Sequence, residues 1–158
     1  MVVIANYRPA TERYILEWPA GLVDDKKGLK ETGLRELEEE AGYIGTIGKA
    51  LNSKNKTFSV PHRSDENVTW FYTEIDGDDP RNANPVQMLE EEENIKVHLI
   101  DFNESFVKSL QDLAVSHDYG IAAALRSLMN SICIYAGLPF EASTVEQLPA
   151  EELGMATI

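Results

Sequence analysis

One stretch of this chain, GLVDDKKGLKETGLRELEEEAGY from Gly21 to Tyr43, has to satisfy two incompatible surfaces at once. From Glu31 to Ala41 the pattern predicts a helix. Leu34, Leu37 and Ala41 recur at spacings of three and four, and at about 100 degrees per residue they gather on one apolar side. Glu36 and Glu40 lie one turn apart on another side with Glu39 beside them, so three carboxylates share a narrow surface. The apolar side needs a sheet or a second helix to cover it, whereas the acidic side needs water or a cation. Gly21 suits the turn leading in, and Gly42 suits the helix exit.

Strand-forming runs elsewhere supply the cover. Val2, Val3 and Ile4 predict a first strand that stops before Tyr7, Arg8 and Pro9. YILEWPAG predicts a second, ended by Pro19 and Gly21. Residues 43–50 are short and β-compatible, and 52–67, NSKNKTFSVPHRSDEN, read as a long surface loop. VTWFYTEI, Val68 to Ile75, predicts one internal strand, and a turn region then leads to the acidic run Glu90 to Glu93. Ile95, Val97 and Leu99 alternate as one face of a further strand. Helices are predicted around Glu104 to Val115 and Ile121 to Ala136, the second with Leu125, Leu128, Met129, Ile132 and Cys133 as packing surface. No repeat or interdomain linker interrupts this order. The economical architecture is one α/β domain over residues 1–140, a mixed sheet covered by helices, followed by a polar tail over 141–158.

Charge narrows the partners. Fourteen basic against twenty-seven acidic residues give a formal net charge of -13, which disfavours diffuse attraction to DNA, RNA or anionic lipid. A phosphate-bearing ligand therefore needs local arginines or a metal. No stretch approaches the roughly 20 apolar residues of a membrane helix, and the amino end lacks a basic segment leading into a signal-like core. The expectation is a soluble protein with neither a membrane nor a nucleic-acid partner. Cys133 is the lone cysteine, which excludes an internal disulfide and a thiolate cluster and fits a reducing compartment, cytoplasmic or nuclear. His62, His98 and His117 are dispersed, and no nucleophile stands beside one.

Two readings fit Glu36, Glu39 and Glu40. An exposed acidic helix face is common, and spacing alone favours it. The same three carboxylates also offer hard oxygen ligands to Mg²⁺ or Mn²⁺ while a substrate diphosphate supplies others, which would resolve the attraction of a negative ligand to a negative chain. Arg35 would then orient a glutamate by an ion pair.

The spacing of these residues resembles the Nudix hydrolase signature: glycine, five residues, glutamate, seven residues, Arg-Glu-apolar, one residue, Glu-Glu, one residue, Gly-apolar. Gly21 matches the first glycine, Arg35, Glu36 and Leu37 the middle triplet, Glu39 and Glu40 the pair, and Gly42 and Tyr43 the end. Lys27 departs from it, standing where the family has glutamate. The resemblance implies an α/β/α sandwich and divalent metal bound through Glu36, Glu39 and Glu40. Loss of the outlying carboxylate at Lys27 implies a weakened or relocated second metal. By composition alone, Lys27 is an exposed loop residue or a phosphate contact.

NYRPATERYILEWPAGLVDD, EIDGDD and EEENIKV further resemble the ADP-ribose and ADP-sugar pyrophosphatase group over most of residues 4–136. That group implies a homodimer that hydrolyses the diphosphate of ADP-ribose to AMP and ribose 5-phosphate with Mg²⁺, or Mn²⁺ in its place. It implies that Arg8, in the YRP segment, binds substrate and that Glu93 positions or deprotonates water. Glu90, Glu91 and Glu92 leave that register open, and Glu93 is preferred because it directly precedes the strand over 94–99. The group's PGxS-like loop is replaced by Pro61, His62, Arg63 and Ser64, where histidine for glycine disfavours a positive-φ turn and Arg63 is a candidate phosphate contact. Only seven residues precede Arg8, so an amino-terminal region contributing to dimerisation and the nucleoside pocket is expected to be missing. Lys27, the altered loop and the short beginning keep a second function open, a Nudix fold that binds a nucleotide derivative without turnover.

Overall fold

The computed structural model describes residues 1–23, 28–50, 56–103 and 105–137. The tail expected over 141–158 and Lys27 both lie outside them. At the centre is a four-stranded mixed sheet in the order β7-β1-β2-β8, built from Ile95–Leu99, Val2–Arg8, Arg13–Glu17 and Gly120–Ile121. Strand β1 runs antiparallel to both β2 and β7, and β2 runs parallel to β8.

The alternation of β1 makes the layers. Val3 and Ala5 face one side, where they join Leu16 of β2 and the buried side chains of α2 (Phe106–His117) and α3 (Ala123–Ala136), among them Phe106, Leu110, Leu125, Met129 and Cys133. Ile4 faces the other side and packs with Ile95 of β7 and with Leu37 and Ala41 of α1 (Leu29–Ala41). This is the α/β/α sandwich that the signature resemblance implies, and strict period-two alternation is its cause. A smaller antiparallel ladder pairs β3 (Thr46–Ala50) with β6 (Phe71–Glu74), and a short hairpin pairs β4 (Thr57–Phe58) with β5 (Asn67–Val68).

Several boundaries differ from the sequence reading. Strand β1 does not stop before Tyr7: its pairing with β2 continues to Arg8 opposite Arg13, and the reversal falls at Pro9–Thr11 with Glu12 left-handed at φ 52°. The stretch 68–75 is two strands rather than one, because Val68 pairs with Thr57 while Phe71–Glu74 pairs with β3. Part of the loop expected over 52–67 is therefore ordered as a hairpin. Ile121 belongs to β8 rather than to the last helix, since Gly120 and Ile121 pair with Ile15 and Leu16 and the Ala122 N–H donates to the Leu16 carbonyl at 3.0 Å. Along β7, Ile95 is buried but Leu99 is 64% exposed, so the expected apolar face fades toward the strand's end. Among the described residues, no helix is long and apolar enough to cross a membrane.

His98 of β7 shares the α2/α3 side with His117 and Tyr119, and among the described residues its buried Nε2 has no hydrogen-bond partner. Burial lowers its pKa from the ordinary 6.5, and the His117 and Lys96 charges lower it further. The folded state thus binds fewer protons at His98 than the unfolded state does, so stability falls as pH drops through the ordinary histidine range. Relative to His98→Leu, wild-type protein should lose urea midpoint between about pH 7.5 and about pH 5.5. A difference that stays constant over that range would overturn this account.

Candidate active site

Helix α1 begins at Leu29, two residues before its expected start, after an extended Gly28 that supplies no side-chain cap. Its acidic side is not the solvated face that spacing alone favours. Glu36 is only 8% exposed and Glu40 only 3%, because the segment following β2 lies over them. The Ala20 N–H donates to Glu40 Oε2 at 2.8 Å. Gly21 comes so close to the Glu36 carboxylate that a Cβ there would overlap it. Its φ is not in the left-handed region, so turn conformation does not require this glycine. Gly42 does exit the helix with φ 76°, and a Cβ on it would lie 2.6 Å from the Val86 backbone nitrogen.

Arg35 forms ion pairs with two of these carboxylates. Its Nη2 donates to Glu36 Oε1 at 2.5 Å, and its Nη1 pairs with Glu39 Oε2. Among the described residues, Glu40 has no arginine ion pair of this kind. Burial, together with the negative charge of Glu36 and Glu93, overcomes the Ala20 bond and pushes its pKa up to about 8. Glu36 is also raised, by burial first, with Arg35 opposing and Glu39 and Glu93 adding to the rise.

Glu93 and Arg8 converge on the same end of α1. Of the four glutamates in the acidic run, Glu93 alone is half-buried, and it lies within electrostatic reach of Glu36, Glu40 and Arg8. Its Oε2 accepts the Glu90 N–H at 2.9 Å. Arg8 shares the α1 side of β1 with Ile4 and reaches back along the sheet to Glu17, donating from Nε at 3.1 Å and from Nη2 at 2.5 Å. Its pKa is raised, chiefly by the bond to Glu17 and further by Glu40 and Glu93. Arg63 is not brought in. It is exposed in the turn between β4 and β5, where its N–H bonds the Val60 carbonyl, and no described hydrogen bond or ion pair joins its side chain to the carboxylates. The Pro61–Arg63 turn forms without any left-handed residue.

Glu17 and Ala20 were not singled out from the sequence. Glu17 meets Arg8 through the β1–β2 hairpin, and Ala20 contributes only its N–H, which no side-chain pattern encodes. Among the described residues, no three His, Cys, Asp or Glu side chains already converge as a cation site. Arg35 holds Glu36 and Glu39, and Glu40 turns to Ala20. In kind, the donors fit a hard divalent cation: they are carboxylate oxygens, and the burial and repulsion that raise the pKa values of Glu36 and Glu40 are what a bound cation would reverse.

The chain belongs to the Nudix family, whose NUDIX domain model matches residues 2–124. An uncharacterized Nudix hydrolase of Schizosaccharomyces pombe is 32% identical over 139 residues, covering 87% of this chain and 64% of that protein. An ADP-ribose pyrophosphatase of Saccharomyces cerevisiae is 35% identical over 106 residues, covering 65% of this chain and 45% of its own length. An ADP-sugar pyrophosphatase of Mus musculus is 32% identical over 85 residues, covering 54% and 38%. The chain thus spans less than two thirds of the length of the curated relatives it matches.

The left-handed Gly42 and its approach to the 85–86 backbone predict that Gly42→Ala destabilises the fold by about 1–3 kcal/mol. Urea denaturation within about 0.5 kcal/mol of wild type would contradict that packing account.

Proposed function

We propose that this chain hydrolyses the diphosphate linkage of ADP-ribose or a related ADP-sugar, giving AMP and a sugar phosphate, with Mg²⁺ or Mn²⁺ as cofactor. One observation carries the reading: in a Nudix-family chain, Glu36 and Glu40 are buried and crowded together at the end of α1 that Glu93 and Arg8 also face.

Glu36, Glu39 and Glu40 are the residues that would hold the cation. A divalent ion there supplies charge neutralisation for the diphosphate oxygens and acidifies water. Arg35 orients Glu36 and Glu39. Arg8, whose Nη1 makes neither of the bonds to Glu17, presents a donor to a phosphate oxygen. Glu93 exchanges its bond to the Glu90 N–H for a water proton, acting as general base. The water oxygen bonds to one phosphorus and stays on it, the bond from that phosphorus to the bridging oxygen breaks, and the other phosphate leaves carrying the bridging oxygen. The expected setting is a homodimer in the cytoplasm or nucleus.

Chromatography of ADP-ribose incubated with protein and Mg²⁺ should yield AMP and ribose 5-phosphate, with no product when metal is chelated. Glu40→Gln should lower kcat roughly 100-fold or more with its fold intact. Unchanged ADP-ribose in the wild-type reaction would reject the assignment. A second reading, binding without turnover, draws support from the Arg35 guanidinium occupying Glu36 and Glu39. Calorimetric binding of ADP-ribose that survives chelation and Glu36→Gln, with no product formed, would establish it instead. Light scattering should give twice the chain mass, and a monomer at all concentrations would sink the dimer.

A further inference from the structure

We propose that Gln87 is a positioning residue that sets where Glu93 stands relative to the carboxylate helix. The inference rests on the hydrolytic reading above.

The segment leading to the acidic run is fastened to the last turn of α1. The Gln87 side-chain amide donates to the Glu40 carbonyl at 2.7 Å and to the Ile95 carbonyl at 3.2 Å. One side chain therefore ties the residue that carries the buried Glu40 carboxylate to the strand that starts two residues after Glu93. Next to it, the Met88 N–H donates to the Glu39 carbonyl at 2.8 Å, and Gly42 lets residues 85–86 lie against the helix end. These bonds also occupy carbonyls that a helix terminus leaves without intrahelical partners.

On its other side, Glu93 is bounded by a second set of ties. The Asn94 carbonyl accepts the Tyr7 N–H at 3.1 Å, and Asn94 Oδ1 accepts the Tyr14 hydroxyl at 2.8 Å, which fixes this neighbour to β1 and β2. Those ties hold Glu93 to the sheet but not to α1. Beside the packing of Leu37 and Ala41 on Ile95, Gln87 makes a hydrogen-bonded side-chain link between helix and β7, so its loss frees the acidic run to shift relative to Glu36 and Glu40. Displacement of a general base by even 1 Å costs on the order of 100-fold in rate at the extreme, while substrate contacts made by Arg8 are untouched.

The test uses the full chain with ADP-ribose and Mg²⁺. Gln87→Leu keeps bulk and removes both donors. It should lower kcat roughly 10-fold or more with KM for ADP-ribose within about 2-fold of wild type. In a Glu93→Gln background the same substitution should cost nothing further, because the group it acts through is already gone. An equal kcat loss in both backgrounds, or a rise in KM alone, would overturn the proposal. Amide exchange over residues 90–94 gives a readout independent of turnover: it should accelerate in Gln87→Leu while the protections of α2 and α3 remain. Unchanged exchange over 90–94 overturns the tether even where wild type is active. Wild-type protein that turns over no ADP-ribose fails the hydrolytic reading, and the placing of a catalytic base falls with it.

Discussion

Two carboxylates buried one turn apart on a helix are the constraint around which this molecule is arranged. Water would normally screen Glu36 from Glu40, but the backbone of Ala20 and Gly21 displaces it, and what remains is a guanidinium on one and a peptide N–H on the other. Neither neutralises both. Burial, with the Glu36 and Glu93 charges adding to it, raises the Glu40 pKa to about 8. That arrangement costs folding free energy, and the remainder of the sandwich has to supply it.

The supply comes from the opposite side of the sheet. Leu16, Leu110, Leu125 and Met129 are fully buried between the sheet and helices α2 and α3, whereas the α1 side has the smaller apolar cluster of Ile4, Leu37, Ala41 and Ile95. One layer is devoted to cohesion, and the other trades apolar area for charged groups. This division follows from β1, whose successive residues point to opposite layers.

Much of this was readable from the chain because it is local. Leu37, Ala41, Glu36 and Glu40 declare a helix and its two sides within a few turns, and Gly42 its end. Cys133 and its neighbours declare a packed helix in the same way. What could not be read depends on partners brought together by folding. Spacing leaves the burial of Glu36 and Glu40 open because their cover is backbone from Ala20 and Gly21, whose side chains advertise nothing. The division of 68–75 between two strands follows from where Thr57 and β3 happen to lie. Arg63 has the right chemistry for a phosphate contact, yet the β4–β5 turn that carries it makes no described bond to the carboxylates. Gln87 is an unremarkable amide until α1 and β7 are on either side of it.

The alternation of β1 also makes its length more critical than its composition. Conservative exchanges at Val3 or Ala5 alter packing by a methyl or two. One residue inserted between Ile4 and Arg8 would turn the following side chains over, sending Arg8 into the aromatic layer beside Tyr14 and Tyr119 and swinging Tyr7 toward the carboxylates. A strand of seven residues thus acts as a phase reference for the protein, and an insertion should be tolerated in the Pro9–Thr11 turn that follows it rather than within it.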